Sequence, residues 1–453
     1  MSKDTVKPEK IEALYERSAK ILSEKNTIPE ELYSENKVKR GLRNSNGEIA
    51  GYEKDEDGNK IPIEGKLYYR GYNVEDIVMN AYREKRFGFE ETAFLLMLGS
   101  LPTKADLETF NGILGSHREL PNSFARDMIL TAPSNNIMNK LARCVLALYS
   151  YDDNPDDISI KNVIRQSMNL MGYFPAIICY AFQAKNTYYG NQSLHLHAPI
   201  PGLSTSENIL RMLRPLGEYT DLEAKLLDIC MILHAEHGGG NNSSFTTHLV
   251  SSTGTDTYSE VDAAVGSLKG PKHGGANIAV IEMIEDIKAH VKDLGNTGKL
   301  DDYLVKILKG KANDRTGLVY GMGHAIYTKS DPRAKILKDM AKQLAESKDK
   351  TEDFYLCDYI ERHVPELYAE VHGREVLMPA NVDLYSGFVY SALDIPVDVA
   401  TPLFATARLA GWSAHRLEEL VNGGKLMRPA YNTVQDHMEY VPMKDRKSEY
   451  KMK

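Results

Sequence analysis

The sequence predicts an all-α protein with a large and a smaller helical domain and a short β hairpin near the N-terminus. From Glu90 onward, apolar residues recur at spacings of three and four, which is typical of amphipathic helices. Between Ser45 and Tyr72, the dipeptides Asn46-Gly47 and Asp57-Gly58 are flanked by Tyr- and Ile-bearing runs, a pattern that indicates a hairpin. With 453 residues the chain exceeds what one hydrophobic core usually supports, so we expect a second, smaller domain.

The elements can be placed in order along the chain. Residues 8–38 alternate charged and apolar residues at helical spacing, and they predict an exposed amphipathic helix followed by a turn. The hairpin follows, and the helical pattern then runs through the rest of the chain, for instance over 222–233 and 281–294. Segments rich in Gly, Ser, Thr or Asp at 249–259 and 295–302, and a charge-dense stretch at 341–353, predict the loops.

Composition excludes several classes of protein. The net charge is −8 and no dense Lys/Arg stripe accompanies aromatic residues, so nucleic acid is not expected as a partner. The longest apolar stretch, near 171–182, is too short to span a bilayer, and the N-terminus lacks the pattern of a signal or transit peptide. The four cysteines are at least 35 residues apart, which gives no disulfide framework and favours a reducing compartment. We therefore expect a cytoplasmic protein without a membrane partner.

The segment HAEHGGGNNSSFTTH, residues 234–248, is the first that carries chemistry. His237 continues the apolar stripe of 222–233 and should face inward, and the glycines after it let the backbone approach a small ligand closely. Two inward imidazoles invite a metal interpretation, but the segment has no HExxH pattern, no cysteine and no third ligand at close spacing, so no metal is predicted. The alternative is a pair of histidines satisfied inside the core.

The second segment, GPKHGGANIAVIEMIEDI at 270–287, places His273 in a tight turn just before a helix. The positive end of the helix dipole opposes protonation there, so the imidazole should stay neutral at pH 7. In that state it can donate a hydrogen bond to a developing enolate oxygen, as in the triosephosphate isomerase example of neutral-imidazole catalysis. A histidine that merely caps the helix is the alternative.

The third segment is GMGHAIYTKSDPRAK, residues 321–335. Gly321-Met322-Gly323 resembles the start of a nucleotide fingerprint, but the third glycine and the preceding strand are missing. Phosphates could still approach this backbone. His324 lies in the turn, and Asp331-Pro332 begins a new helix that carries Arg333. Lys329 and Arg333 are either ligand-binding cations or solvated surface charges.

Two further segments offer a base and an anion clamp. In PANVDLYSGF, residues 379–388, Asp383 stands among apolar neighbours, so desolvation should raise its pKa and make it a stronger base; a helix-capping aspartate is the alternative. In VATPLFATARLAGWSAH, residues 399–415, Arg408 is the one formal charge of an apolar helix and needs an anion. Arg428 in KLMRPAY is a second candidate clamp, and an internal ion pair is the alternative.

Together and in this order, HAEH, GPKHGGAN, GxGHAxYxxxDPRA, NVDLYSG and ARLAGWxAH resemble the citrate synthase family, and GKLYYRGY and FEETAFLLMLGSLPT fit it too. The resemblance covers roughly residues 45–432. It implies that Asp383 takes a methyl proton from acetyl-CoA, that His273 stabilises the enolate, and that His324 polarises the oxaloacetate carbonyl. The carboxylate ligands that it implies are His237, Arg333, Arg408 and, from the partner subunit, Arg428.

The resemblance also implies an architecture and a set of partners. It implies an all-α homodimer in which residues 1–276 and 386–453 form the large domain and 277–385 the small one. The two domains would close over oxaloacetate and acetyl-CoA, with loops such as 295–302 moving. We assign the CoA phosphates to Lys329, Gly321 and Gly323. No cofactor is expected beyond acetyl-CoA as a substrate.

Other functions remain open at this stage. A 2-methylcitrate synthase would perform the same condensation with propionyl-CoA, and one extra methylene shifts affinity by only ~1–3 kcal/mol. A non-catalytic relative would bind a ligand without releasing thiol. A metallohydrolase would depend on a metal and lose activity with a chelator.

Overall fold

The computed structural model describes residues 6–25, 46–429, 434 and 436–446. Within these ranges the protein is built almost entirely of α-helices, with one small antiparallel sheet near the N-terminus. The predicted all-α class is therefore confirmed. None of the helices in the described ranges combines the length and the apolar character needed to cross a lipid bilayer.

The sheet contains strands β1 (Gly47–Lys54), β2 (Lys60–Tyr69) and β3 (Tyr72–Asn73), paired in the order β1-β2-β3. Asp57-Gly58 forms the predicted turn, in which Gly58 takes a φ of 84° that favours glycine. Asn46-Gly47 does not turn the chain. It begins β1, and the Asn46 side chain is buried instead.

Most of the helices up to residue 269 contribute to a buried apolar cluster that continues into the later helices. The helices of this part of the chain are α1 (Pro8–Lys25), α2 (Val74–Arg83), α3 (Phe89–Leu98), α4 (Lys104–Ser116), α5 (Ile137–Leu148), α6 (Ile160–Gly190), α7 (Thr205–Leu213), α8 (Asp221–His234), α9 (Asn242–Ser251) and α10 (Thr257–Lys269). A short π-helical turn, Ala125–Leu130, and a 3-10 turn, Tyr149–Tyr151, lie between them.

The remaining helices carry three of the candidate residues, Arg333, Asp383 and Arg408. They are α11 (Ala276–His290), α12 (Thr297–Leu308), α13 (Pro332–Ser347), α14 (Thr351–His372), α15 (Val382–Ala392) and α16 (Val397–Val421). A 3-10 turn, Met443–Asp445, follows them. The long helix α16 is buried over most of its length and packs against α3, α6, α8 and α9. Helices α11, α13 and α14 pack around α15, and α12 packs on α14.

Several sequence boundaries need correction. The predicted loop at 249–259 shrinks to the few residues between α9 and α10, and α12 begins at Thr297 inside the predicted loop 295–302. The stretch 341–353 is mostly helical, because α13 runs to Ser347 and α14 starts at Thr351. The N-terminal helix ends at Lys25, and the rest of the 8–38 prediction lies outside the described residues. The domain boundaries at 276/277 and 385/386 stay a prediction.

Candidate active site

Five separate segments meet at one site. They are the turn after α8, the turn before α11, the segment 321–331 before α13, the first turn of α15 and the middle of α16. Their charges act on one another: Arg333 and Arg408 influence the protonation of both His237 and Asp383, and Arg408 also influences His273. The structure therefore brings the predicted catalytic residues together with three of the four predicted carboxylate ligands.

Arg408 is a buried cation with part of its guanidinium group available to a ligand. Its Nε donates to the carbonyl of His234 at 2.6 Å, and its guanidinium carbon lies 4.7 Å from the centre of the Phe404 ring. No hydrogen-bond partner for the buried Nη1 is found in the part of the chain that the structure describes. Burial lowers the pKa of Arg408 to about 10, and the carboxylate of Glu236 opposes this shift. A buried guanidinium with a free N–H edge is suited to a planar carboxylate.

Arg333 is also buried, but it has a partner within the chain. Its Nε and Nη2 donate to the two carboxylate oxygens of Asp331 at 3.0 and 2.7 Å, and its guanidinium lies 5.8 Å from the centre of the Tyr327 ring. Burial alone would lower the pKa of Arg333, but the Asp331 carboxylate more than offsets this and raises it above its usual value. Arg333 is thus a fixed cation and not a surface charge. Asp331 also caps α13, as the Asp-Pro sequence predicts.

His237 is buried, although not for the reason that the sequence suggested. Helix α8 ends at His234, so His237 does not extend the helical stripe but lies in the turn that follows. Its Nε2 is 3.3 Å from the Tyr327 hydroxyl, and its ring meets the His324 ring edge-on at a centroid distance of 5.3 Å. Burial and then the charge of Arg333 bring the pKa of His237 well below its usual value, so the ring is neutral.

His324 has a tautomer that the backbone determines. Its Nδ1 accepts the N–H groups of Ile326 and Tyr327, both at 3.1 Å. Because Nδ1 is an acceptor, the proton of the neutral ring lies on Nε2. Burial lowers the pKa of His324 to about 4, and Arg333 adds to this effect. The ring therefore presents an N–H donor without a full positive charge.

His273 lies three residues before α11 and is held by a serine hydroxyl. Its Nε2 is 3.0 Å from Ser243 Oγ, which also accepts the Trp412 indole N–H at 3.0 Å. The Ser243 proton can go to Asn241 Oδ1 or to His273 Nε2, and the second arrangement leaves the imidazole proton on Nδ1. Burial, followed by the charge of Arg408, lowers the pKa of His273 to about 4. The predicted neutral imidazole is supported, with burial as its main cause.

Asp383 is the second residue of α15. Asn381 caps this helix and accepts the Asp383 backbone N–H at 3.0 Å, so Asp383 is not itself the cap. Burial raises the pKa of the Asp383 carboxyl to about 6; Arg333 lowers it, Asp331 raises it, and a hydrogen bond from Asn277 lowers it. The carboxylate is a stronger base than an exposed aspartate and is still mostly ionised at pH 7.

The glycines of the third segment join that segment to α15. Gly323 N–H donates to the Pro379 carbonyl at 2.7 Å, and Asn381 N–H donates to the Gly321 carbonyl at 2.9 Å. Gly321 has a φ of 84°, and a Cβ there would lie 2.8 Å from the Leu384 side chain. The chain thus uses this backbone to hold His324 next to the start of α15. The assignment of Gly321 and Gly323 to CoA phosphates stays a prediction.

The other assigned cations lie at the surface. Lys329 is exposed and lines a cavity of about 280 Å³ together with Lys335 and Ser330. Arg428 is exposed in the segment that follows α16. The proposed contribution of Arg428 to a partner subunit's site, like the role of Lys329 toward CoA, stays a prediction.

One group of side chains in the described ranges is close enough together to hold a metal ion. It consists of His248, His415 and Glu418, all buried, and it includes neither His234 nor His237. Both nitrogens of His248 already have hydrogen-bond partners within the chain.

Sequence reasoning missed several residues that shape the site. Tyr327 lies in the segment 321–335, three residues after His324, and Asn277 lies in the segment 270–287, four residues after His273. Their closeness in sequence to these histidines could have marked them as site residues. Ser243 and Trp412 are distant in sequence from His273 and become visible only in three dimensions. His234, one of the two inward imidazoles that the sequence predicts, is buried, and neither of its nitrogens has a partner among the described residues. It is therefore not satisfied within the core and can serve a ligand.

Comparison with known proteins gives a consistent result. Residues 50–430 match the family model described as "Citrate synthase, C-terminal domain". Citrate synthase from Synechocystis sp. is 35% identical over 385 residues, which are 84% of this chain and 89% of that protein. 2-Methylcitrate synthase 1 from Corynebacterium glutamicum is 32% identical over 420 residues, which are 91% of this chain and 100% of that protein. The crystal structure of citrate synthase from Thermotoga maritima superimposes with a TM-score of 0.70 at 30% identity, covering 90% and 97% of the two chains.

Proposed function

Because this chain belongs to the citrate synthase family and is an acyltransferase of that type, we propose that it condenses acetyl-CoA with oxaloacetate and water to give citrate and CoA. The observation that carries the proposal is the joint position of three groups. A carboxylate with a raised pKa, Asp383, shares its site with a neutral N–H donor, His324, and with a buried guanidinium edge on Arg408 that lacks a protein partner.

The first step is proton abstraction. The Asp383 carboxylate removes a proton from the methyl group of acetyl-CoA, and the electron pair moves onto the thioester oxygen. His273 donates a hydrogen bond from Nδ1 to this enolate oxygen when Ser243 gives its proton to Nε2. A neutral imidazole is well matched to this task, because its N–H is closer in acidity to an enol than an imidazolium N–H is.

The second step forms the carbon–carbon bond. The enolate carbon attacks the ketone carbon of oxaloacetate, and the ketone oxygen becomes a hydroxyl by taking the Nε2 proton of His324. The proton that Asp383 removed from the methyl group returns to the ring through water. The Nε2–H of His324 polarises this oxygen, and its position depends on the two backbone N–H groups that hold Nδ1. His237, Arg333 and Arg408 bind the substrate carboxylates. Water then cleaves the citryl thioester and releases CoA as the thiol.

The preference for acetyl-CoA over propionyl-CoA is part of this proposal. The relatives that share about a third of their residues with this chain include both citrate synthases and 2-methylcitrate synthases. A cavity of about 360 Å³ is lined by Pro271 and Gly275, which stand two residues before and after His273, and we assign it to the acyl-CoA arm. Relative turnover of the two thioesters decides between the alternatives.

The proposal includes the state of the enzyme. We place it in the cytoplasm as a homodimer, with no metal and no cofactor beyond its acyl-CoA substrate. The four cysteines are all free and buried, which agrees with a reducing compartment. The reaction needs only a carboxylate base, imidazoles and guanidinium groups, and the described site supplies them all.

The test is release of CoA thiol from acetyl-CoA. We expect a rate that depends strictly on oxaloacetate and that is unchanged by EDTA. Propionyl-CoA should react more slowly. A rate that EDTA abolishes and zinc restores would refute the mechanism, and faster turnover of propionyl-CoA would assign the chain to the 2-methylcitrate synthases.

A further inference from the structure

Behind the site lies a continuous chain of buried hydrogen bonds that the proposed mechanism does not use. His248 Nδ1 is 3.0 Å from Glu419 Oε2, and His248 Nε2 is 3.0 Å from His415 Nδ1. His415 Nε2 is in turn 2.8 Å from Glu236 Oε1. All four residues are buried. Glu236 is the third letter of the HAEH motif, between His234 and His237.

The positions of the protons follow from the chemistry of the partners. An ionised carboxylate only accepts, so His248 Nδ1 and His415 Nε2 must both be donors. One more proton must lie between the two rings, because two bare nitrogens 3.0 Å apart repel each other. Three protons on two imidazoles make one of them an imidazolium. The charge belongs on His415, because two carboxylates lie within 4 Å of its ring nitrogens, Glu236 at 2.8 Å and Glu418 at 3.9 Å. Among the described residues His248 has one carboxylate at that range, Glu419 at 3.0 Å, and Glu418 lies within 4.8 Å of it.

We propose that His415 is held as a buried imidazolium and that, through Glu236, it positions the turn that carries His237 and the carbonyl that holds Arg408. His415 and His248 are therefore positioning residues and do not touch substrate. This inference deepens the function proposed above and rests on it for its catalytic consequences. The charge of His415 can be tested without an activity measurement.

The contacts of Glu236 explain how the charge reaches the site. Its Oε1 accepts the Gly238 N–H as well as the His415 N–H, so it fixes the backbone on the far side of His237. Tyr69 donates to the Glu236 carbonyl at 3.1 Å and fixes the same turn from the side of β2. On the N-terminal side of Glu236 the chain passes through Ala235 to His234. The His234 carbonyl accepts a hydrogen bond from Arg408.

The other charged groups around His415 agree with this assignment. Burial alone would raise the pKa of the Glu236 carboxyl, but His415 holds it below its usual range. Burial would likewise lower the pKa of His415, yet Glu236 and Glu418 raise it above its usual value, even though Arg70 acts against them. Burial lowers the pKa of His248, so this ring stays neutral. Just before β1, Asn46 Nδ2 donates to Glu418 at 2.8 Å and also lies 3.4 Å from His415 Nδ1. The Nδ1 proton is directed to His248 Nε2, which is the nearer of the two nitrogens at 3.0 Å.

The charge can be observed by nitrogen-15 NMR of protein labelled in its histidines. At pH 7.5 an exposed histidine is about one-tenth protonated. We expect one non-titrating imidazolium whose signal disappears in His415→Gln and persists in His290→Gln, a control on the exposed end of α11. It should also persist in His248→Gln, because the amide oxygen can accept from His415 Nδ1. Absence of an imidazolium in the wild type, or its survival in His415→Gln, overturns the proposal, as does a stoichiometric metal ion bound by this cluster.

Kinetics test the positioning role. His415→Gln leaves Glu236 as a buried carboxylate without its counter-ion, and we expect the oxaloacetate KM to rise ~10-fold with little change in the acetyl-CoA KM. The double variant Glu236→Gln/His415→Gln removes both charges and keeps an acceptor for Gly238, so it should recover most of the loss. Additive effects, or a fall in stability without a change in KM, would contradict positioning.

If His415→Gln does not fold, the wild-type spectrum alone decides the charge. A wild-type protein that shows the imidazolium but no condensation would refute the proposed function and not the charge assignment.

Discussion

Asp383, the proposed base, would combine a catalytic role with a stability cost. Burial raises the pKa of this carboxyl to about 6, whereas the pKa values of His273 and His324 fall to about 4. Between pH 5 and 7 the carboxylate is therefore the one group of the three that titrates. In the proposed mechanism the ionised form is the base, so activity should depend on its deprotonation.

We predict that kcat/KM for acetyl-CoA rises about tenfold per pH unit up to pH ~6 and then levels off. Asp383→Asn should reduce kcat by at least ~10²-fold at pH 7.5, because the amide cannot take the methyl proton. Asp339→Asn, an exposed change on α13, is the control. The assignment fails if a folded Asp383→Asn variant keeps a near-normal kcat, or if the acidic limb is absent.

The same variant should be more stable than the wild type. A carboxyl whose pKa is raised on folding binds its proton more tightly in the native state, so stability falls as pH rises from about 4 to 6 and stays low above that range. A rise from 3.8 to about 6 corresponds to roughly 3 kcal/mol at neutral pH. Calorimetry should give a higher Tm for Asp383→Asn at pH 7.5 and little difference at pH 4. A lower Tm at pH 7.5 would mean that the carboxylate is stabilised in the resting site.

Arg408 and Arg416 form a natural matched pair, because both are buried on α16. Arg416 donates to Thr257, Ser251 and the Thr255 carbonyl, whereas Arg408 keeps Nη1 without a partner among the described residues. We predict that Arg408→Ala raises the oxaloacetate KM ~10²-fold, while Arg416→Ala lowers Tm and changes this KM little. Equal effects of the two variants on KM would favour an internal role for Arg408.

At the scale of single residues, sequence could identify the chemistry but not the partners. The apolar surroundings of Asp383 were enough to predict a raised pKa. The lone charge of the 399–415 helix likewise indicated an anion site. The tautomer of His324 depends on backbone groups folded back onto it, and the Arg333–Asp331 pair depends on a rotamer. Neither the tautomer nor the ion pair can be predicted from the spacing of residues in the sequence.

At the scale of elements, helix caps explain which boundaries sequence could place. The cap at Asp331 was visible because Asp-Pro is a strong start signal, and α13 begins as predicted. Asn296 caps α12 by accepting the Lys299 N–H, but the nearby glycines favoured a loop. Asp256 caps α10 in the same way inside the predicted loop 249–259. One capping side chain therefore outweighs a loop-like composition.

The junction between Gly321 and α15 gives a prediction at this scale. Gly321 and Gly58 share a φ of 84°, but a Cβ meets Leu384 at the first position and nothing within 4 Å at the second. Gly58→Ala should cost only backbone strain, ~1 kcal/mol, whereas Gly321→Ala adds a clash worth a further ~1–3 kcal/mol. Gly321→Ala should also reduce kcat, because the backbone that holds His324 beside Asp383 must move. Equal Tm values for the two variants would show that α15 can move away from the new Cβ without a loss of stability.

At the scale of the whole molecule, the proposed homodimer makes each site depend on two chains. The resemblance places Arg428 in the partner's site, and Arg428 is exposed in the segment that follows α16. Each site would then need Asp383 from one chain and Arg428 from the other. Homodimers of Arg428→Ala or of Asp383→Asn should both be nearly inactive.

A hybrid of these two variants tests the arrangement directly. In the hybrid dimer one site takes both intact residues and the other takes both defects, so one site of two works. With random pairing about half of the dimers are hybrids, which gives roughly a quarter of wild-type activity if the sites act independently. Subunits are mixed after dissociation, and native mass spectrometry confirms the hybrid before the thiol-release assay. If verified hybrids show no recovered activity, Arg428 acts within its own chain or does not act in the reaction.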